Sequence, residues 1–165
     1  MQVTLGRKGD YSVRAMIALA RAGGGRRKAR QIAGTMEIPQ RYLPQIMAPL
    51  VKAGLVQATA GPDGGYALAR DPASITVLEV VEIAEGPLAG EHCMLAGGPC
   101  DWGAVCPAHE TWSRAYEALA AELRQSTFAE LARNDRLIEE GAFPTPGRQL
   151  HRKPVERRGV REPSG

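Results

Sequence analysis

All three cysteines of this chain, Cys93, Cys100 and Cys106, fall within fourteen consecutive residues, and Pro107, Ala108 and His109 follow at once. Soft thiolates and an imidazole at these spacings can converge on one metal centre. The run Gly97-Gly98-Pro99 between the first two favours a turning loop over a helix. An odd cysteine count argues against a disulfide scaffold and for a reducing compartment. The fold must therefore be held by ordinary cores on either side of this loop. With 165 residues, 44% of them hydrophobic, the chain can supply one domain with appendages.

No apolar run reaches the roughly 18 residues of a membrane span. The apolar patch at residues 15–20 is bounded by Arg14 and Arg21 and is too short for a signal-peptide core, so a cytoplasmic protein is expected. Charge is distributed unevenly. Residues 1–70 carry a net +8, residues 71–141 a net −9 and residues 142–165 a net +4. A basic first half beside an acidic second half predicts that a polyanion meets the N-terminal half.

Within residues 1–85, Asp10 is a candidate cap for a helix running to about Arg21, which Gly23-Gly24-Gly25 ends. A short helix is expected over 29–36, with Ile32, Ala33 and Met36 inward. After a tight turn at Glu37-Ile38-Pro39, the residues Leu43, Ile46, Met47, Leu50 and Val51 repeat at amphipathic-helix spacing, and Gly54 closes that helix. This is the pattern of a helix-turn-helix. Its second helix is expected to present Gln40, Arg41, Tyr42, Gln45 and Lys52 on the open side, with Arg30 on the first helix. Such side chains suit phosphates and base edges, the alternative being a merely solvated polar face.

The next segment favours DNA. Strands at 55–59 and 66–70 flank Gly61-Pro62-Asp63-Gly64-Gly65, whose glycines permit positive φ. Helix, helix and hairpin make a winged helix, with Gly61, Asp63, Gly64 and Gly65 at the tip facing the duplex. Pro44 and Pro49 conflict with the second helix, since an interior proline costs about 3 kcal/mol. Pro49 falls off the apolar face, where a bend toward solvent accommodates it. A further helix is expected from Ser74 or Thr76 to Ala84, closed by Glu85-Gly86-Pro87.

At this point the chain resembles the Rrf family of bacterial winged-helix regulators. The resemblance rests on Gly9-Asp10-Tyr11-Ser12-Val13-Arg14-Ala15-Met16, Ile38-Pro-Gln-Arg-Tyr-Leu43, Ala53-Gly-Leu-Val56, Gly61-Pro-Asp-Gly-Gly-Tyr66, Ile75-Thr-Val-Leu-Glu-Val80 and the cysteine loop. It covers about residues 1–135. It implies a homodimer on a palindromic operator of double-stranded DNA, and a [2Fe–2S] or [4Fe–4S] iron–sulfur cluster that alters DNA affinity. Cys93, Cys100 and Cys106 match the family's cluster cysteines. His109 matches the histidine ligand of one branch, and Asp10 matches the acidic ligand contributed across the dimer in another. Six residues separate Cys93 from Cys100, one more than is common. The wing lacks an arginine that relatives often place before the glycine, and Pro44 replaces a residue that is often polar.

Residues 109–125 read as one long helix with Trp112, Ala115, Tyr116, Leu119 and Leu123 in an apolar stripe. A second copy of the chain is the natural partner for that stripe. Thr127 and Glu130 fit a capping box that starts a last helix to about Glu140. The resulting fold class is mainly α with a small β-hairpin wing: a winged helix-turn-helix at 1–85, a cysteine-rich loop at 86–108, dimerisation helices at 109–141 and a disordered basic tail at 142–165. Alternatives to a cluster sensor are a Cys3His zinc site on the same DNA-binding scaffold and, far lower, an electron carrier. No nucleophile–base pairing or phosphate-binding loop is present, and Gly23-Gly24-Gly25 lacks the Lys-Ser/Thr pair of a P-loop, so no enzymatic activity is expected.

Overall fold

The computed structural model of the chain describes residues 5–88 and 106–144. Cys93, Cys100 and the tail beyond residue 144 lie outside the described residues.

The first helix, α1 (Arg7–Arg21), turns Ala15, Met16, Leu19 and Ala20 inward. It begins three residues before Asp10, and its N-cap is Gly6, so the expectation that Asp10 caps it is corrected. An acceptor arrives from elsewhere in the chain: the Glu85 carboxylate takes the Gly9 N–H at 2.6 Å. Gly23 and Gly24, at φ +59° and +87°, end the helix in a conformation that favours glycine.

The helices α2 (Ala29–Thr35) and α3 (Leu43–Lys52) form the helix-turn-helix. Between them Gln40–Tyr42 is a 3-10 turn, which corrects the placement of Gln40, Arg41 and Tyr42 on the second helix itself. The reason is local. In a helix continued backward through residue 40 the Pro44 ring would clash with the Gln40 carbonyl, whereas a proline in the first turn of a helix has no backbone bond to lose. Pro44 accordingly sits in the first turn of α3, which removes the conflict it posed. Pro49 does lie inside α3, on its exposed side, while Leu43, Ile46, Met47 and Leu50 are buried. Gly54 follows at φ +73°, as expected of a C-terminal glycine.

The wing pairs β1 (Val56–Thr59) with β2 (Gly65–Leu68), antiparallel, with Val56 opposite Leu68 and Thr59 opposite Gly65. It gains a third partner from the linker after α1. Arg27 and Tyr66 exchange both backbone hydrogen bonds, at 2.8 and 2.9 Å.

Next come α4 (Val77–Glu85), α5 (His109–Gln125) and α6 (Phe128–Glu139). Thr76 and Thr127 cap α4 and α6, each hydroxyl accepting a backbone N–H three residues on. The two caps are themselves a β-bridge, held by Val77 N–H to the Ser126 carbonyl at 2.9 Å and Phe128 N–H to the Ile75 carbonyl at 3.0 Å. Phe128 is fully buried in the cluster that contains Met16, Leu19, Ile75 and Val80. Arg21 fastens the other end of α6 to α1 through Asp135, at 2.7 Å, and Glu139. Those carboxylates raise the Arg21 pKa above its ordinary value, with the bond to Glu139 the largest cause. Thus α6 packs back onto the N-terminal core.

By contrast α5 buries only Ala120. Trp112, Tyr116, Leu119 and Leu123 are half-buried and Ala115 is exposed. No helix among the described residues is long and apolar enough to cross a membrane.

Candidate nucleic-acid interface and cluster loop

The first two turns of α1 are the meeting point of the molecule. Glu85, the last residue of α4, sits so close that a Cβ on Gly6 or Gly9 would stand 2.7 or 2.8 Å from its carboxylate oxygens. A larger residue at either position would require the Glu85 side chain to swing aside, and with it the hydrogen bond to the Gly9 N–H. One residue on, Asp10 pairs with Arg14 at 2.8 Å, and Arg14 also donates to the Met36 carbonyl at 3.4 Å, where α2 ends. Next to it Tyr11 meets Tyr42 with ring centroids 5.8 Å apart. The start of α1 therefore touches the end of α4, the end of α2 and Tyr42 just before α3.

Loss of the Glu85 cap has a measurable cost. Glu85→Ala is expected to lower stability by about 0.5–2 kcal/mol, as for other lost helix caps. Glu85→Gln, which keeps an acceptor oxygen, is expected to recover most of it; urea denaturation reads both.

Of the residues expected to face DNA, Gln40, Arg41, Gln45, Lys52 and Arg30 are exposed and Tyr42 is half-buried. The Arg41 guanidinium lies 5.2 Å from the Tyr42 ring centroid. Hydrogen bonding from Arg41, joined by Arg7, lowers the Tyr42 pKa below that of an ordinary phenol. Arg41→Ala is therefore expected to move the tyrosinate transition of Tyr42 to higher pH, which an ultraviolet absorbance titration against Tyr42→Phe resolves. Among the expected wing-tip residues, Gly61 and Asp63 are exposed. Gly64 is buried, closing the turn through its N–H to the Gly61 carbonyl at 3.0 Å, and Gly65 packs against the Arg27 carbonyl. The structure thus places Gly61 and Asp63 at the surface and gives Gly64 and Gly65 an architectural part.

Of the cysteine-loop residues, Cys106 and His109 are described. Cys106 is half-buried just before α5, and its carbonyl accepts the His109 N–H at 3.1 Å, so the two share one turn. His109 is exposed at the first position of α5. Among the described residues no group of three or more His, Cys, Asp or Glu side chains could hold a metal. In donor chemistry, a thiol and a free imidazole in one turn suit a soft metal or cluster. Asp10 has one carboxylate oxygen committed to Arg14.

Sequence reading found the exposed polar side chains and the cysteines. It missed Glu85, Arg7, Arg14 and the pairing of Arg27 with Tyr66.

Comparison with known proteins agrees with this anatomy. The family model described as Rrf2, iron-dependent transcriptional regulator, matches residues 5–134. The HTH-type transcriptional regulator IscR of Klebsiella pneumoniae strain 342 is 34% identical over 133 residues, covering 80% of this chain and 81% of that one. IscR of Escherichia coli strain K12 / DH10B is 33% identical, covering 80% and 82%. Among solved structures, CymR, the global cysteine regulator of B. subtilis, superposes with a TM-score of 0.69 at 30% identity, covering 80% of this chain and 98% of that one. T. potens IscR superposes with a TM-score of 0.67 at 29% identity, covering 82% and 90%. These relatives are transcriptional regulators, not enzymes. With a helical body, a two-stranded wing and a family match across nearly all of its described length, the chain belongs to the Rrf2 family of transcriptional regulators.

Proposed function

We propose that the chain is a homodimeric regulator whose grip on a palindromic operator is set by an iron–sulfur cluster, [2Fe–2S] or [4Fe–4S], on the 86–108 loop. Cys93, Cys100 and Cys106 would hold it, with His109 or an Asp10 from the second protomer as the fourth ligand. When bound, the cluster supplies a group sensitive to oxidation, nitric oxide and iron–sulfur status. Arg30, Gln40, Arg41, Tyr42, Gln45 and Lys52 would face the duplex, with Gly61 and Asp63 leading the wing. The half-buried stripe of α5 would lie at the seam between protomers.

One observation carries the coupling: Arg14 bridges the Asp10 carboxylate and the Met36 carbonyl. If Asp10 is drawn toward a ligand, Arg14 loses its counter-charge, and its hold on the end of α2 changes with it. The turn at Gln40–Tyr42 begins four residues beyond Met36. A local change at the start of α1 therefore has a short route to the reading edge. Likeness to IscR supports the cluster, while likeness to a cysteine regulator supports a second reading in which the thiols serve without one.

Anaerobic purification with iron, acid-labile sulfide and visible absorption analysis tests the proposal. A coloured protein whose operator affinity changes when the cluster is removed is the expected result. Colourless protein with stoichiometric zinc, or equal operator affinity of the loaded and stripped forms, overturns it.

A further inference from the structure

Both α2 and α6 lean on α1, and between them lies a cleft of about 410 Å³. Its size falls in the range of small-molecule sites, roughly 300–1,000 Å³. Three guanidinium groups from three separate segments line it: Arg21 of α1, Arg27 of the linker and Arg136 of α6. Arg21 is already neutralised by Asp135 and Glu139. Arg27 and Arg136 have no carboxylate partner among the described residues. Gln31 and Thr35 of α2 add an amide and a hydroxyl, and the buried Ile32 contributes an apolar floor.

Arg27 and Arg136 are both exposed, and two such cations lining one concavity offer a shared oxyanion two points of attachment. The planar fork of arginine suits carboxylate and phosphate oxygens. We propose that this cleft binds a small carboxylate- or phosphate-bearing metabolite, clamped between Arg27 and Arg136 and oriented by Gln31 and Thr35. The site lies apart from the cysteine loop and stands whether or not that loop carries a cluster. A ligand here would tie α6 to the linker whose Arg27 backbone pairs with Tyr66 of the wing, and would so act on the wing's inner strand. A DNA backbone phosphate offers the same oxygens, and the comparison of small-anion with duplex binding separates the two sources.

The test uses the full chain free of DNA. Inorganic phosphate, citrate and glucose 6-phosphate are titrated calorimetrically at fixed ionic strength, up to millimolar concentrations. At least one is expected to bind saturably. Arg136→Gln and Arg27→Gln, each checked for native circular dichroism, are expected to weaken it about tenfold or more, as for a lost charge-assisted pair. Arg133→Gln, on the same helix but outside the cleft, is expected to leave it unchanged. Absence of saturable binding by all three anions overturns the proposal, as does binding unaffected by either cleft variant. If instead Arg136→Gln weakens duplex binding as much as Arg27→Gln while no small anion binds, the cleft takes a backbone phosphate and the metabolite site is refuted.

Discussion

Phe128→Ala is expected to lower the unfolding free energy by about 3–5 kcal/mol, the usual cost of emptying a buried phenylalanine site. Phe128 is fully buried and opens α6, and its own N–H is bonded to Ile75 at the head of α4. The ring therefore lies in the one cluster that also holds Met16 and Leu19 of α1. A loss of that size is about a fifth or more of the roughly 5–15 kcal/mol that holds most domains together. Urea denaturation gives the number, and Phe128→Leu, which keeps most of the volume, is expected to lose less than about 1.5 kcal/mol. A change below about 1 kcal/mol in Phe128→Ala would mean that α6 is an appendage and not part of the N-terminal core.

Gly64→Ala has the second large effect, on the wing. A Cβ there would stand 2.2 Å from the Thr59 carbonyl oxygen and 2.8 Å from the Ala60 carbonyl carbon, both backbone atoms that cannot swing aside. The turn must open, at an overpacking cost of about 1–3 kcal/mol. Because Gly61 and Asp63, proposed to meet the duplex, are then displaced, operator affinity is expected to fall about tenfold, the equivalent of about 1.4 kcal/mol. Asp63→Ala next door removes an exposed side chain and is expected to change stability by no more than about 0.5 kcal/mol. An electrophoretic mobility assay on both variants separates the shape of the wing from its charge. Undiminished operator binding by folded Gly64→Ala would show that the wing does not touch DNA.

What was legible in the chain alone was whatever neighbours in sequence decide. The spacing of Leu43, Ile46, Met47, Leu50 and Val51 marks the buried face of α3, because helical period acts over four residues. The glycines of the wing, Gly54 after α3, and the caps Thr76 and Thr127 are local in the same sense. The three cysteines and the exposed residues Arg30, Gln40, Arg41, Gln45 and Lys52 could likewise be singled out by type and position.

Tertiary structure alone decided the rest. The cap on α1 comes from Glu85, 76 residues away, so Asp10 was free to pair with Arg14 instead. The linker strand at Arg27, the core position of Phe128 and the cleft between α2 and α6 depend on which surfaces meet once the chain has folded. Periodicity and capping rules report a residue's preference over a turn or two of backbone. A hydrogen bond or a packed ring between distant segments leaves no such mark, because its geometry exists only after the whole core has closed.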